Sequence, residues 1–157
     1  PERWPEWQVT ARGVVFGITD EHTTIDLLRA TAEGVGYAMR RTFDAVREHV
    51  PIDHLTLVAE GFGTHEWRQL LANVLEVPVR VVERSPEDSP LIGASVLAGV
   101  GVGVIRSVES ATALTPYGEV VTPQPEVLGA YRESYDRFQA LFPTLREQFS
   151  RLQETGD

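Results

Sequence analysis

The feature that most constrains this chain is an alternation of short β-branched, apolar runs with longer stretches of helical period. Gly13-Val14-Val15-Phe16-Gly17-Ile18 is β-branched and aromatic between glycines, which predicts a buried strand. Ile25, Leu28, Ala32, Val35, Met39, Phe43, Val46 and Val50 then recur at steps of three or four, predicting one long helix with an apolar stripe against a core. Its start is marked by Thr23-Thr24-Ile25-Asp26, which offers a hydroxyl to the first-turn amides and an acid three positions on, the two halves of a capping box. Pro51 marks the stop, and Arg40, Arg41 and Arg47 sit toward the negative end of the helix dipole. A second strand is expected over residues 54–59, then a glycine turn, then a helix on Trp67, Leu70, Leu71, Val74 and Leu75. Pro78 opens a third strand over residues 79–82, followed by a polar loop at 85–90 and a small-residue helix from Leu91 to about Val100. Strand, helix, strand, helix, strand, helix in this order predicts an α/β domain whose helices cover a sheet that is at least partly parallel.

The rest of the chain is less regular. After Gly103, residues 104–157 read as an irregular segment with Pro116, Gly118, Pro123 and Pro125, then a terminal helix. A closing helix carries Val127, Tyr131, Tyr135, Phe138, Phe142, Leu145, Phe149 and Leu152, a stripe expected to be core or inter-domain contact, with Pro143 expected to bend or split it. Residues 1–10, with Trp4 and Trp7, read as an extended arm. A start at Pro1 and a lone Met39 inside a helix suggest a piece of something longer.

Composition excludes several chemistries. At 157 residues and a net charge of -9 there is no basic field to hold a phosphate backbone or an anionic surface, so neither nucleic acid nor membrane is an expected partner. The longest apolar stretch, residues 91–105, is broken by four glycines and is too short to span a bilayer. Zero cysteines remove disulfides, thiolate nucleophiles and thiolate zinc sites, and fit a cytoplasmic protein. His22, His49, His54 and His65 have no metal-ligand spacing, so no metal site is expected from this chain. Asp20 with Glu21, and Glu87 with Asp88, read as solvated surface acids; no serine or threonine has a visible base partner, and no catalytic residue is assigned.

Two features could carry a ligand. In parallel α/β sheets ligands gather beyond the C-terminal strand edges, where turns feed helix N-termini. Ala59-Glu60-Gly61-Phe62-Gly63-Thr64 is such a turn: its glycines let backbone approach a nucleotide, and Thr64 caps the next helix or donates to a ligand. From its residues alone it reads more readily as an ordinary glycine turn, being neither a phosphate loop nor a dinucleotide fingerprint. The second feature is Gly93, Ala94, Ala98 and Gly101, which either packs closely on the sheet or admits a flat ligand. Gly34 and Gly36, each costing roughly 1 kcal/mol against alanine in a helix, predict a crowded contact.

Three ordered blocks resemble the C-terminal domain of the FGGY family of carbohydrate kinases, the group that includes xylulokinase, gluconokinase and glycerol kinase. Ala11-Arg12-Gly13-Val14-Val15-Phe16-Gly17-Ile18-Thr19 with Asp26-Leu27-Leu28-Arg29-Ala30-Thr31-Ala32-Glu33-Gly34-Val35 is similar to the family's strand and Leu-x-x-Ala helix, although Ala32 stands where a larger apolar residue is usual. Trp67-Arg68-Gln69-Leu70-Leu71 resembles its Trp-Arg-Gln helix, and Leu91-Ile92-Gly93-Ala94-Ser95 its Gly-Ala-Ala helix. The resemblance covers nearly all of residues 1–157 and implies a single nucleotide-binding domain of the actin-like, ribonuclease-H-like ATPase fold, with a mixed sheet and a C-terminal helical extension. It implies ATP and Mg2+ as cofactors, ATP and ADP as ligands, and phosphoryl transfer to a sugar or polyol hydroxyl. The sugar pocket and catalytic aspartate would lie in an absent N-terminal domain, so this chain alone is expected to be inactive; a homodimer stays open. Adenine would lie against Gly61, Phe62, Gly63 and Thr64. The family commonly reads Gly-Gly-Gly-Ala-Arg-Ser there, so Glu60 either repels phosphate or hydrogen-bonds the ribose, and Phe62 either stacks on adenine or blocks it. The alternative from the same departures is a non-catalytic interaction module of kinase ancestry with a degraded nucleotide site.

Overall fold

A computed structural model of the chain describes residues 9–58, 64–83, 88–112 and 115–154. In chain order the elements are α1 (Thr24–Arg47), β1 (Leu55–Leu57), α2 (His65–Leu75), β2 (Val79–Val82), α3 (Asp88–Gly101), α4 (Val108–Thr112), β3 (Tyr117–Val121) and α5 (Leu128–Glu154). They group into two compact units. One holds the described residues up to Pro51, with Asn73–Leu75 and those from Gln124 on; the other holds the remainder.

The unit of residues 52–72 and 76–123 is built on the sheet, ordered β1-β2-β3. β1 runs parallel to β2, with Leu55 opposite Val79 and Leu57 opposite Val81, while β3 is antiparallel to β2 with Val121 opposite Val79. Val79 and Val121 are buried, so one sheet face is apolar. On the alternate positions, Arg80 Nε donates to Thr56 Oγ1 at 3.0 Å, and its guanidinium lies 3.8 Å from the Tyr117 ring centre. Here a cation is held on an aromatic face and a neighbouring strand at once. Past α3 the chain turns back sharply: Val104 N and Ile105 N both donate to Gly99 O, and a Cβ on Gly99 would stand 2.8 Å from Ile105 Cδ1. That close approach requires glycine at position 99.

The other unit is organised by a seam between α1 and α5. The Tyr37 ring packs 5.9 Å from Tyr135 and 5.6 Å from Phe138, and Tyr37, Tyr135, Phe43 and Phe149 are buried. Polar groups are tied along the same seam. Tyr135 Oη donates to Asp44 Oδ2 at 3.0 Å, Tyr131 Oη donates to Glu33 Oε1 at 3.4 Å, and Arg29 Nε reaches that oxygen at 2.9 Å. Arg40 lies over the Tyr135 ring, 4.4 Å from its centre, and Arg41 over Phe142. Burial pushes the Tyr37 phenol up to about 12. Burial, with the Asp44 carboxylate beside it, does the same to Tyr135.

The N-terminus of α1 carries the expected capping box. Asp26 N donates to Thr23 Oγ1 at 3.4 Å and Thr23 N donates to Asp26 Oδ2 at 2.8 Å. The Thr23 hydroxyl and amide hold the Asp26 carboxyl below the usual carboxylate range.

The structure corrects the sequence expectations at several points. Residues 13–18 form no strand among the described residues, and Val14, Val15, Phe16 and Ile18 are exposed, Phe16 by 74%. A strand is stable only when its backbone is paired, and among the described residues nothing pairs with this run. The expected α1 stripe holds only in part: Phe43 is buried as expected, but Ile25, Leu28, Val35 and Val46 are exposed, and Gly36 and Tyr37, off that stripe, are buried. The true contact face is aromatic, because α5 meets it with Tyr135 and Phe138. Gly34 has no described heavy atom within 4 Å of where a Cβ would stand, so it marks no crowded contact. The loop expected at 85–90 gives way to helix at Asp88, and α4 and β3 occupy part of the stretch expected to be irregular. Pro143 does not split α5, which is continuous from Leu128 to Glu154. Residues 1–8 of the expected arm lie outside the described residues.

Two measurements check this account. Leu71, fully buried, should cost roughly 2–5 kcal/mol on Leu71→Ala, read from urea midpoints. The fold favours the protonated phenols, so their contribution is complete below pH 10 and is lost as pH rises toward about 12; Tyr37→Phe with Tyr135→Phe should flatten the alkaline decline in stability.

Candidate functional site

The parallel pairing of β1 with β2 forces the chain to cross back between them, and α2 is the element that does so. The segment leaving the C-terminal end of β1 therefore feeds the N-terminus of α2, the place where an α/β sheet presents free amides to a ligand. Of the expected site residues, Gly61, Phe62 and Gly63 lie outside the described residues, as does Glu60. Thr64 is described: it is the N-cap of α2, extended at φ -70 and ψ 148, with an exposed side chain.

Thr64 performs the capping role that its position allows. Its Oγ1 accepts from Trp67 N at 3.3 Å and its carbonyl accepts from Arg68 N at 3.1 Å. A hydroxyl that accepts keeps its own hydrogen, so Thr64 retains one donor for a ligand acceptor. Glu66 is exposed in the first turn and places a carboxylate at the positive end of the helix dipole.

The far end of α2 is fixed differently. Leu71, Ala72, Asn73, Val74 and Leu75 are all buried. Glu76 closes the helix in the left-handed region at φ 58, its N–H donating to Ala72 O. Asn73 and Gln124 exchange two bonds, Asn73 Nδ2 to Gln124 Oε1 at 3.0 Å and Gln124 N to Asn73 Oδ1 at 2.9 Å. Earlier in α2, Gln69 Nε2 donates to Thr122 O at 3.0 Å, just past β3. Sequence reading missed these ties, because a lone Asn or Gln in an apolar helix carries no period that names its partner.

The second sequence candidate is not a packed groove. α3 has no buried residue, and Gly93 and Gly101 have no described heavy atom within 4 Å of where a Cβ would stand. Among the described residues no three His, Cys, Asp or Glu side chains are arranged to hold a metal ion. Among the described residues His54 pairs with its neighbour Asp53, at 2.5 Å, which lowers the Asp53 carboxyl.

Comparison with known proteins places this geometry. The model for the C-terminal domain of the FGGY family of carbohydrate kinases matches residues 1–102, and the chain belongs to that family. It is 28% identical to the xylulose kinase of Staphylococcus epidermidis over 93% of this chain and 29% of that protein. To the gluconokinase of Bacillus subtilis it is 31% identical, over 96% of this chain and 29% of that protein. The ligand-bound xylulose kinase of Lactobacillus acidophilus superposes with a TM-score of 0.88 at 20% identity, covering 96% of this chain and 30% of that one. This likeness gives the fold, the α/β architecture of the actin-like ATPases. The chain spans under a third of the length of these relatives.

Thr64→Ala should remove the acceptor for Trp67 N and cost about 1 kcal/mol, seen as a lowered melting temperature; Thr64→Ser should restore it.

Proposed function

We propose that this chain is the nucleotide-binding part of an ATP-dependent carbohydrate kinase, contacting the adenosine end of ATP or ADP through Gly61, Phe62, Gly63 and Thr64. The observation that carries this reading is the parallel β1–α2–β2 unit of an FGGY chain, with Thr64 capping α2 beyond the C-terminal edge of β1. Gly61 and Gly63 let backbone come close to the nucleoside, Phe62 stacks on the adenine face, and Thr64 donates its free hydroxyl hydrogen. Glu60 accepts from the ribose hydroxyls, and with Glu66 it keeps phosphate away from this helix end.

When bound, ATP supplies the phosphoryl group and positioning supplies most of the catalysis. The described residues offer no ligand set for Mg2+, so no residue of this chain is assigned to it. No residue here is assigned as catalytic base either. The base and the sugar pocket belong to the part of the kinase outside this chain, which alone should transfer no phosphate.

Calorimetry of ATP and ADP binding to the full-length protein tests this. Phe62→Ala should weaken both nucleotides by roughly 10-fold or more, the worth of one stacked base. Unchanged affinity in Phe62→Ala overturns the stacking role. Silence in the wild type with binding gained by Glu60→Gly would instead support a non-catalytic interaction module whose nucleotide site has closed.

A further inference from the structure

α1 presents two contact faces, and the described residues fill one of them. At 3.6 residues per turn, Glu33, Tyr37, Arg40 and Asp44 share a sector, the one met by Tyr131, Tyr135 and Phe138 of α5. Ile25, Leu28, Val35 and Val46 share another, centred roughly 140° round the helix, and all four are exposed. Exposure along this aliphatic stripe is greatest at its N-terminal end, 76% at Ile25 and 66% at Leu28 against 46% at Val35. A bonded turn joins that end to a second exposed apolar run: His22 N donates to Thr19 O at 3.2 Å and Thr19 N donates to His22 Nδ1 at 3.0 Å. The run is Val14-Val15-Phe16, with Ile18 beyond a kink at Gly17, whose φ is 82. Apolar residues at successive positions make both faces of an extended backbone apolar, and such a run belongs in a sheet covered on both sides. Among the described residues nothing pairs with it.

We propose that residues 14–16 and the Ile25, Leu28 and Val35 stripe of α1 are one docking surface, on which the rest of the same polypeptide places a β-sheet. One strand of that sheet pairs with residues 14–16, and α1 covers a face of the sheet so extended. Unpaired backbone calls for a strand, and an aliphatic helix stripe calls for an apolar sheet face; one partner supplies both. The relatives have that partner to offer. Over two thirds of their length lies outside the part this chain matches, and the matching family model is that of a C-terminal domain. Chain that precedes such a domain arrives on the N-terminal side of residue 14, from where a strand can turn back and pair with the run. A second copy of this chain fits less well, because it brings only the same single run, and a two-stranded ribbon is marginal in water. The inference rests on family membership and not on the adenosine contact, and no readout below uses nucleotide.

The test is made in the full-length protein. Residues 1–157 contain no cysteine, so Leu28→Cys introduces a thiol whose labelling by a maleimide is followed on its own peptide, with Asp136→Cys, at an exposed position of α5, as the reference. Leu28→Cys should label roughly 100-fold more slowly or less, independent of protein concentration, and the amides of residues 14–16 should be protected from hydrogen exchange to a similar degree. A photo-reactive phenylalanine analogue in place of Phe16 should cross-link, without change of oligomeric mass, to a peptide outside residues 1–157. Labelling at the reference rate, or exchange at residues 14–16 as fast as in an unstructured peptide, overturns the inference. A cross-linked product of doubled mass, or none to residues outside 1–157, overturns the choice of partner and with it the proposal. Should Leu28→Cys fail to fold in a thermal melt, Val35→Cys on the same stripe decides by the same labelling.

Discussion

A helix end that is buried must have its last carbonyls satisfied from within the protein, and at the end of α2 two of them are taken by named donors. Leu71 to Leu75 are buried on successive positions, all round the helix, so water cannot serve the carbonyls of the final turn. Glu76 turns into the left-handed region to give its N–H to Ala72 O, and Arg40 comes in from α1 to take Val74 O. The left-handed turn at a non-glycine residue costs about 1 kcal/mol, less than a buried orphan carbonyl would. Much else follows from this arrangement. The chain leaves the helix aimed into β2, Val79 is buried as the first residue of that strand, and β1 and β3 pair on either side of it.

The seam between α1 and α5 shows how polar groups are admitted where they are needed. Among the described residues, three tyrosines and the charged side chains of Arg29, Glu33, Arg40, Arg41 and Asp44 lie along it, yet each of the two α5 tyrosine hydroxyls there has an acid to donate to: Tyr131 to Glu33 and Tyr135 to Asp44. The rings supply buried apolar area and the hydroxyls fix the register, since sliding one helix by a turn would separate both pairs. An all-leucine seam would bury as much surface and would specify the pairing less tightly.

Local signals were the most legible in the sequence. Thr23 and Asp26 announced the α1 capping box, Thr64 the cap of α2, and Pro78 the start of β2, because each depends on neighbours within a few residues. The choice of buried face failed where it depended on a distant partner. Ile25, Leu28 and Val35 share a helical period with the buried Phe43, and only the position of α5, which meets Tyr37, decides which members of it are covered. The run at 13–18 has strand composition without a described pairing partner. β3 was missed because Gly118 and the flanking Pro116 and Pro123 outweigh a five-residue strand, whose existence rests on pairing with β2. For the site, the chemistry of the Gly61–Phe62–Gly63–Thr64 turn was read from resemblance, and the structure adds the cap at Thr64. The ties at Arg40, Asn73 and Gln69 had no sequence pattern to announce them.

Pro143 gives α5 a mechanical character. It has no N–H, so the carbonyl four residues earlier lacks its helical donor, and compliance in the helix concentrates there. Tyr131, Tyr135 and Phe138, which grip α1, all precede it; Phe149, the buried anchor of the later turns, follows it. The one backbone bond that Pro143 leaves unmade thus falls between the part of α5 that grips α1 and its later turns.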